Sequence, residues 1–341
     1  MSINSPRCVV FALLALVASP FQAPAQSPKK VVVTGMALPW IAEMRQLAPN
    51  VTFADGSGAD GLTRESVDAD AILGTITPEL FQTAKKLKWV HIFSAGVERY
   101  RFPEFINSNV TLTNGRIIQG PEIADHAMAL LLTLTRGLNR AVADRTKEEW
   151  AKGEWKAIEL RGKTAVVIGV GGIGSQIATR AHGFGMTVIG VDIRDIPFHP
   201  AISQVVRPDR LNTVLPKADV VFISVPHTPE SEHMMGPQQF ELMKRDSYFI
   251  AVSRGKIYDT PALVKALDSK KIAGAGLDVT DPEPLPKGHA LWKFDNVVIT
   301  PHIATVSDMV GGRYKELVLD NVARFAKGEP LRNVVDKIKG F

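Results

Sequence analysis

Two successive β-α-β series, and a glycine-rich turn joining a strand to a helix in the second, predict an α/β protein built of two doubly wound parallel sheets. The 341 residues suit two domains, at about 150 residues each. With 45% hydrophobic and 22% charged residues the chain has an ordinary globular composition, which excludes wholesale disorder, a multi-span membrane protein and a collagen-like repeat. Its 40 Lys and Arg face 35 Asp and Glu. The small positive excess is spread thinly, in pairs such as Lys29-Lys30 and Lys85-Lys86, so no nucleic-acid footprint is expected.

The first segment stands apart. Arg7 precedes an apolar run from Cys8 to Ala18, too short for a bilayer span of about 20 residues. Ser19-Pro20 and the small-x-small site Ala23-Pro24-Ala25 follow, so residues 1–25 read as a secretory signal. The mature chain is then periplasmic or secreted, with no membrane segment; a misassigned start would instead make it cytoplasmic. Cys8 is the only cysteine and would leave with the signal, so cysteine usage does not decide the redox compartment.

From Lys29 onward short apolar runs alternate with helical patterns. Strands are expected over Lys29–Gly35, Asp68–Gly74 and Lys88–Gly96, with helices over Pro39–Ala48 and Pro78–Leu87. Gly120–Leu138 is the longest helical pattern, with Pro121 in its first turn and Ile123, Ala127, Leu130, Leu131 and Leu134 on one apolar face. A domain junction is placed at its start. A polar and aromatic stretch holding Trp150 and Trp155 follows. Six strands are then expected over Thr164–Gly169, Met186–Asp192, Asp219–Pro226, Tyr248–Ser253, Ala273–Val279 and Asn296–Thr300. The last helical stretch, Asp308–Lys327, should lean back on the first domain.

Gly169, Gly171 and Gly174 form G-x-G-x-x-G where the first of these six strands turns into a helix. The first glycine permits the turn, the second lets backbone approach a pyrophosphate, and the third lets helix pack on strand, while the helix N-terminus presents free N–H groups to the phosphates. Asp192 ends the next strand, 18 residues after Gly174, where a carboxylate would accept from the ribose hydroxyls and repel a 2′-phosphate. The combination predicts a Rossmann dinucleotide site that takes NAD, with NADP disfavoured. Arg194, which could pair with a 2′-phosphate, is read as a solvated loop charge.

Open α/β sheets bind ligands beyond the carboxyl ends of their strands. Three successive strands there deliver Arg254, Glu283 and His302. Arginine can hold a carboxylate through two parallel hydrogen bonds and polarise a neighbouring carbonyl. Histidine suits proton exchange near neutrality, and a carboxylate on its other ring nitrogen would orient the ring. Together these groups can protonate a carbonyl oxygen as hydride reaches its carbon.

The chain resembles the D-2-hydroxyacid dehydrogenases, the family of glyoxylate and hydroxypyruvate reductases and short-form phosphoglycerate dehydrogenases. The resemblance rests on HIFSAGVE (91–98), LTN (112–114), IADHAMALLL (123–132), LRGKTAVVIGVGGIG (160–174), VPHTPES (225–231), VSRG (252–255), GLDVTDPEPLP (276–286), TPHIA (300–304) and GEPLRNVVD (328–336). It implies a Rossmann cofactor domain, residues 121–307, inserted into a flavodoxin-like substrate domain, residues 28–120 and 308–341, with the active site between them. It further implies that Arg254, Glu283 and His302 are catalytic and that the N–H groups of Ala95, Gly96 and Val97 help Arg254 grip a small 2-oxo or 2-hydroxy acid. Gly171, Gly172 and Ile173 would contact phosphates, with Pro226 and Thr228 bordering the adenosine. A homodimer is implied, and the surface from Arg136 to Trp155 is its candidate contact.

Two departures mark this chain. Ala124-Asp125-His126 replaces the usual Ala-Glu-His, and Glu98-Arg99 follows Gly96-Val97 where Asp-Asn is usual. With no regulatory domain after Phe341, the allosteric long forms of phosphoglycerate dehydrogenase are not expected; Glu283, in place of an amide, disfavours a formate dehydrogenase. His91, His126, His182, His199, His227, His233 and His289 show no metal-binding spacing, so no metal is predicted. Trp40, Trp89 and Met44 are expected to line core or cleft. The alternative function is a non-catalytic NAD(H)-responsive binding protein of the same fold, whose attraction is the export signal, since nicotinamide cofactors are scarce outside the cytoplasm. A complete Arg, Glu and His set favours the enzyme.

Overall fold

The computed structural model describes residues 28–150 and 155–340. The expected signal segment, with Cys8, lies outside the described residues.

The first domain is a five-stranded parallel sheet of β1 (Lys29–Val33), β2 (Val51–Asp55), β3 (Ala71–Leu73), β4 (Trp89–His91) and β5 (Thr111–Thr113), in the order β2-β1-β3-β4-β5. β1 shows why its sequence is an unbroken apolar run. Val31 and Val33 face one buried cluster with Met44, Trp89 and Phe325, while Val32 faces another with Ile72, Val90 and Phe105, because helices cover both sides of the sheet. The strands β2 and β5, which no apolar run announced, are the two edges of the sheet. β2 pairs on one side only, and β5, three residues long, has just an isolated antiparallel bridge from Thr113 to Val334 besides its pairing with β4. The helix expected over Pro39–Ala48 begins later, at Ile41, after a 3-10 turn spanning Gly35–Trp40. Pro39 lies within that turn and has no N–H for an α-helical bond.

The second sheet has seven parallel strands: β6 (Thr164–Ile168), β7 (Thr187–Val191), β8 (Gln204–Val206), β9 (Val220–Ile223), β10 (Tyr248–Ala251), β11 (Gly274–Leu277) and β12 (Val297–Ile299). Their order is β12-β11-β10-β9-β6-β7-β8, so the chain reverses direction across the sheet between β6 and β9, where a crevice opens at the strand ends. Six strands were expected; the seventh, β8, is a largely exposed edge of three residues. The long helix Gly120–Thr135 and the helix Gly172–Gly183 share one buried cluster with Ala165, Val167, Phe222 and Ile250. A helix also forms at Leu138–Thr146, in the stretch left unassigned.

The final helix, Val310–Lys327, returns to the first sheet, where Val318, Val322 and Phe325 enter the cluster around Val31 and Trp89. The tail beyond it is tied down as well. The Val335 N–H donates to Leu112 O at 2.8 Å, and the Lys337 ammonium donates to Phe105 O, Ser108 O and Val110 O at 2.7–2.8 Å. No helix among the described residues is long and apolar enough to cross a membrane.

His91, at the end of β4, is fully buried and contacts Thr113 Oγ1 through Nδ1 at 2.8 Å, while its Nε2 has no partner. Burial pushes its pKa down to about 4 from 6.5, so the native state holds it neutral while the unfolded chain protonates it first. Its contribution is therefore complete above the unfolded value and is lost as pH falls from about 6.5 towards 4, by an amount on the order of 3 kcal/mol. Urea unfolding at pH 7 and pH 4.5 checks this: His91→Gln should lose clearly less stability over that interval than the natural chain, and equal losses would remove His91 as the cause.

Candidate active site

The crevice of the second sheet begins at the glycine turn. Gly169 follows β6 with φ +90, a left-handed conformation, and its Cα lies so close to the next loop that a Cβ would stand 2.7 Å from Val225 Cγ1. A Cβ on Gly174 would meet the Gly169 carbonyl oxygen at 1.8 Å, so only glycine lets this helix start against the strand. Gly171 is the residue before the helix Gly172–Gly183, and the space around it is open apart from Arg194 Nη2 at 3.5 Å from the Cβ position. Ile173 is half-buried in the first turn. Across the turn, Ser224 Oγ donates to Gly169 O at 2.7 Å, and Ser231 Oγ closes the next loop by donating to Pro226 O at 2.8 Å while accepting from the Thr228 N–H at 2.8 Å. An open turn at a helix N-terminus, walled by this ordered loop, fits a dinucleotide.

Asp192 follows β7 and is buried. Its Oδ2 accepts from the Val170 N–H at 2.8 Å and Arg194 Nη2 at 3.0 Å, and its Oδ1 from the Arg194 N–H at 2.9 Å and Nε at 3.0 Å. Burial acts to raise its pKa, but these hydrogen bonds prevail and hold it below the usual carboxylate range. Arg194 is thus a bidentate partner of Asp192 rather than a free solvated charge, and the pairing raises its own pKa.

Arg254, Glu283 and His302 lie just beyond β10, β11 and β12, which are neighbours in the sheet. His302 Nδ1 donates to Glu283 Oε1 at 2.7 Å, with both side chains partly exposed, and Nε2 is the ring nitrogen left for another partner. Arg254 turns instead towards the first domain. Its Nε donates to Glu98 Oε1 at 3.0 Å, its Nη2 reaches Glu98 Oε2 at 3.5 Å, and its Nη1 donates to Ser253 O at 2.7 Å. The guanidinium lies against the loop after β4 so closely that a Cβ on Gly96 would collide with Nη2. That loop is braced: Ser94 Oγ donates to Gly96 O at 2.7 Å and Asn114 Nδ2 to Ala95 O at 2.6 Å. The N–H groups of Ala95, Gly96 and Val97 donate to no acceptor among the described residues. Three successive N–H groups left without acceptors, next to a guanidinium, are donors that an anion could use.

Residue typing overlooked two parts of this site. Glu98 carries an ion pair from the loop after β4 to Arg254 beyond β10; its signal was the departure from Asp-Asn after Gly96-Val97. Asp278, at the end of β11, is 1% exposed and anchors the loop bearing His302. Its carboxylate accepts from Thr300 Oγ1 at 2.6 Å, the Ile303 N–H at 2.9 Å and the Ala304 N–H at 3.0 Å, with His126 Nε2 at 3.4 Å. Burial opposes the charge, yet these donors keep the Asp278 carboxyl below its usual range. Among the described residues no group of three or more His, Cys, Asp or Glu side chains is placed to hold a metal ion.

Residues 128–304 match the model of the D-isomer specific 2-hydroxyacid dehydrogenase NAD-binding domain. The chain is 35% identical over 284 residues to a glyoxylate reductase of Korarchaeum cryptofilum, covering 79% of this chain and 83% of that protein. Among solved structures it resembles an NADPH-dependent glyoxylate/hydroxypyruvate reductase of Sinorhizobium meliloti in complex with NADP and sulfate, with a TM-score of 0.76, 26% identity and coverage of 92% of this chain and 100% of that one. It also resembles a D-lactate dehydrogenase of Aquifex aeolicus complexed with NAD and lactic acid, with a TM-score of 0.72, 26% identity and coverage of 90% and 99%. With its two parallel-sheet domains and nicotinamide-cofactor turn, the chain belongs to the D-isomer specific 2-hydroxyacid dehydrogenase family.

Proposed function

We propose that this protein is an NAD(H)-dependent 2-hydroxyacid dehydrogenase that works mainly as a reductase of small 2-oxo acids. The observation that carries the reading is the His302–Glu283 pair at 2.7 Å, one strand away from a guanidinium lying against three free N–H groups. In reduction, His302 donates the proton from Nε2 to the carbonyl oxygen, and in oxidation it takes one back. Glu283 fixes the ring through Nδ1, which leaves Nε2 as the working atom. Arg254 and the N–H groups of Ala95, Gly96 and Val97 hold the substrate carboxylate and so bring its C2 to a fixed place. The bound nicotinamide supplies or accepts the hydride. The phosphates are held at Gly171, Gly172 and Ile173, and Pro226 and Thr228 border the adenosine. Asp192 beside the ribose supports NAD over NADP.

Three further assignments belong to the same reading. The amino-terminal segment directs export and is cut after Ala25. The domains divide at residues 28–120 with 308–341, and 121–307. The helix Leu138–Thr146, with exposed Leu138 and Val142 and the exposed Trp150 after it, supports a homodimer through the Arg136–Trp155 surface.

The test is a screen of purified residues 26–341 with NADH and NADPH against glyoxylate, hydroxypyruvate, pyruvate and bulkier 2-oxo acids. Oxidation of NADH is expected; turnover of neither nicotinamide with any acid would favour an NAD(H)-responsive binding protein. His302→Asn should lower kcat by about 10²- to 10⁴-fold and leave the NADH Kd unchanged by fluorescence titration; near-normal turnover would end the acid/base assignment. Arg254→Ala should raise KM and lower kcat together.

Glu98 occupies donors of Arg254 that a substrate carboxylate needs. Glu98→Gln should therefore lower the KM for 2-oxo acids by roughly 3- to 10-fold, a modest charge effect, with kcat little changed. A higher KM would mean that Glu98 aims the guanidinium rather than competing for it.

A further inference from the structure

Arg116 sits in the loop between β5 and the helix Gly120–Thr135, on the first-domain side of the cleft. Its backbone is fixed at both ends: the N–H donates to Asn114 Oδ1 at 3.2 Å and the carbonyl accepts from Asn333 Nδ2 at 2.7 Å. The loop is also pressed against the glycine turn of the other domain. A Cβ on Gly172 would stand 2.7 Å from the Ile117 Cα and 3.0 Å from its N, and a Cβ on Gly120 would stand 2.5 Å from Gly172 O. Arg116 thus leaves the chain next to the first residue of the phosphate-binding helix.

Its guanidinium has no partner among the described residues. Arg116 Nε is buried without a hydrogen bond, and no carboxylate pairs with this side chain among the described residues. Burial first, and then the charge of Arg194, lower its pKa. Arg194 itself stands over Gly171, with Nη2 at 3.5 Å from the Cβ position. Two guanidinium groups, one from each domain, therefore converge on one turn, and Asp192 neutralises only Arg194. A partly buried, unpaired cation facing a like charge is unfavourable until an anion arrives. A pyrophosphate at the helix N-terminus would satisfy the orphaned donor and relieve the repulsion at once.

We propose that Arg116 is a ligand of the cofactor pyrophosphate, supplied by the first domain, so that the dinucleotide is gripped from both sides of the cleft. This rests on the reading of the turn as a nicotinamide dinucleotide site. The pyrophosphate is favoured over a 2′-phosphate because the loop meets the turn at Gly172, the first helical residue, and not at Asp192, where a 2′-phosphate would lie.

Direct binding tests the assignment without turnover. Fluorescence titration with NADH, NADPH, ADP-ribose and adenosine is compared for the natural chain, Arg116→Gln and Arg116→Lys, each checked by thermal melting. Arg116→Gln should weaken NADH and ADP-ribose by about 10- to 100-fold, the range of a charge-assisted hydrogen bond. Adenosine, which lacks phosphate, should bind as before, Arg116→Lys should recover part of the loss, and the ligand-free Gln variant should melt no lower than the natural chain. Unchanged NADH and ADP-ribose affinity in Arg116→Gln would overturn the assignment, as would a loss confined to NADPH or a lower melting temperature without ligand. If the natural chain bound neither NADH nor ADP-ribose, the dinucleotide reading would fall and this assignment with it.

Discussion

The buried carboxylate of Asp278 is the constraint on which the site depends. It sits at the end of β11 and binds the Ile303 and Ala304 N–H groups and the Thr300 hydroxyl, all from the segment that follows β12. Between those anchor points His302 adopts φ +54, a left-handed conformation that costs a non-glycine residue about 1 kcal/mol. The hydrogen bonds on both sides of it impose that conformation, and through it the direction of the imidazole towards Glu283. His126 extends the anchor to the helix Gly120–Thr135, with Nε2 at 2.8 Å from Thr300 Oγ1. The His302 imidazole, proposed above as the proton carrier, is thus held through the buried Asp278 carboxylate.

The cleft has two kinds of cation, and they differ in how they wait. Arg254 has an internal anion, Glu98, which supplies an interdomain contact and screens the charge. Arg116 has none among the described residues and faces a second guanidinium. A self-neutralised clamp suits a small ligand that must come and go, because exchanging one carboxylate for another changes the local charge little. An unpaired cation beside a helix N-terminus suits a dianion whose binding also removes a repulsion. The first domain therefore brings charges of both signs, Glu98 and Arg116, to the cleft.

Much of this was legible because the chemistry is local in sequence. Gly169, Gly171, Gly174 and Asp192 lie within one β-α-β unit, and Arg254, Glu283 and His302 each follow a strand of unmistakable apolar character. The central strands were legible for the same reason, since burial on both faces leaves a continuous run such as Val31-Val32-Val33. Edge strands β2, β5 and β8 were not: β2 and β8 pair on one side only, which relaxes the demand for apolar residues at every position, and β5 is three residues long with two threonines. Glu98, Arg116 and Asp278 were harder for a different reason. Each acquires its role from a partner far along the chain, Arg254, Gly172 or Ile303, and no spacing within a motif encodes such a meeting.

The glycine fingerprint mixes positions that the fold requires with positions that face open space or the other domain. Gly174 is required by the Gly169 carbonyl alone, whatever the turn binds, and Gly169 by its own φ and by Val225. These two positions would be glycine in a turn that bound nothing. Gly171 is different, because the structure leaves its Cβ direction open, and so is Gly172, whose missing side chain makes room for a loop carrying an unpaired arginine. A ligand is therefore indicated less by the letters of G-x-G-x-x-G than by what surrounds its middle positions: open space, free helix N–H groups and positive charge brought from both domains.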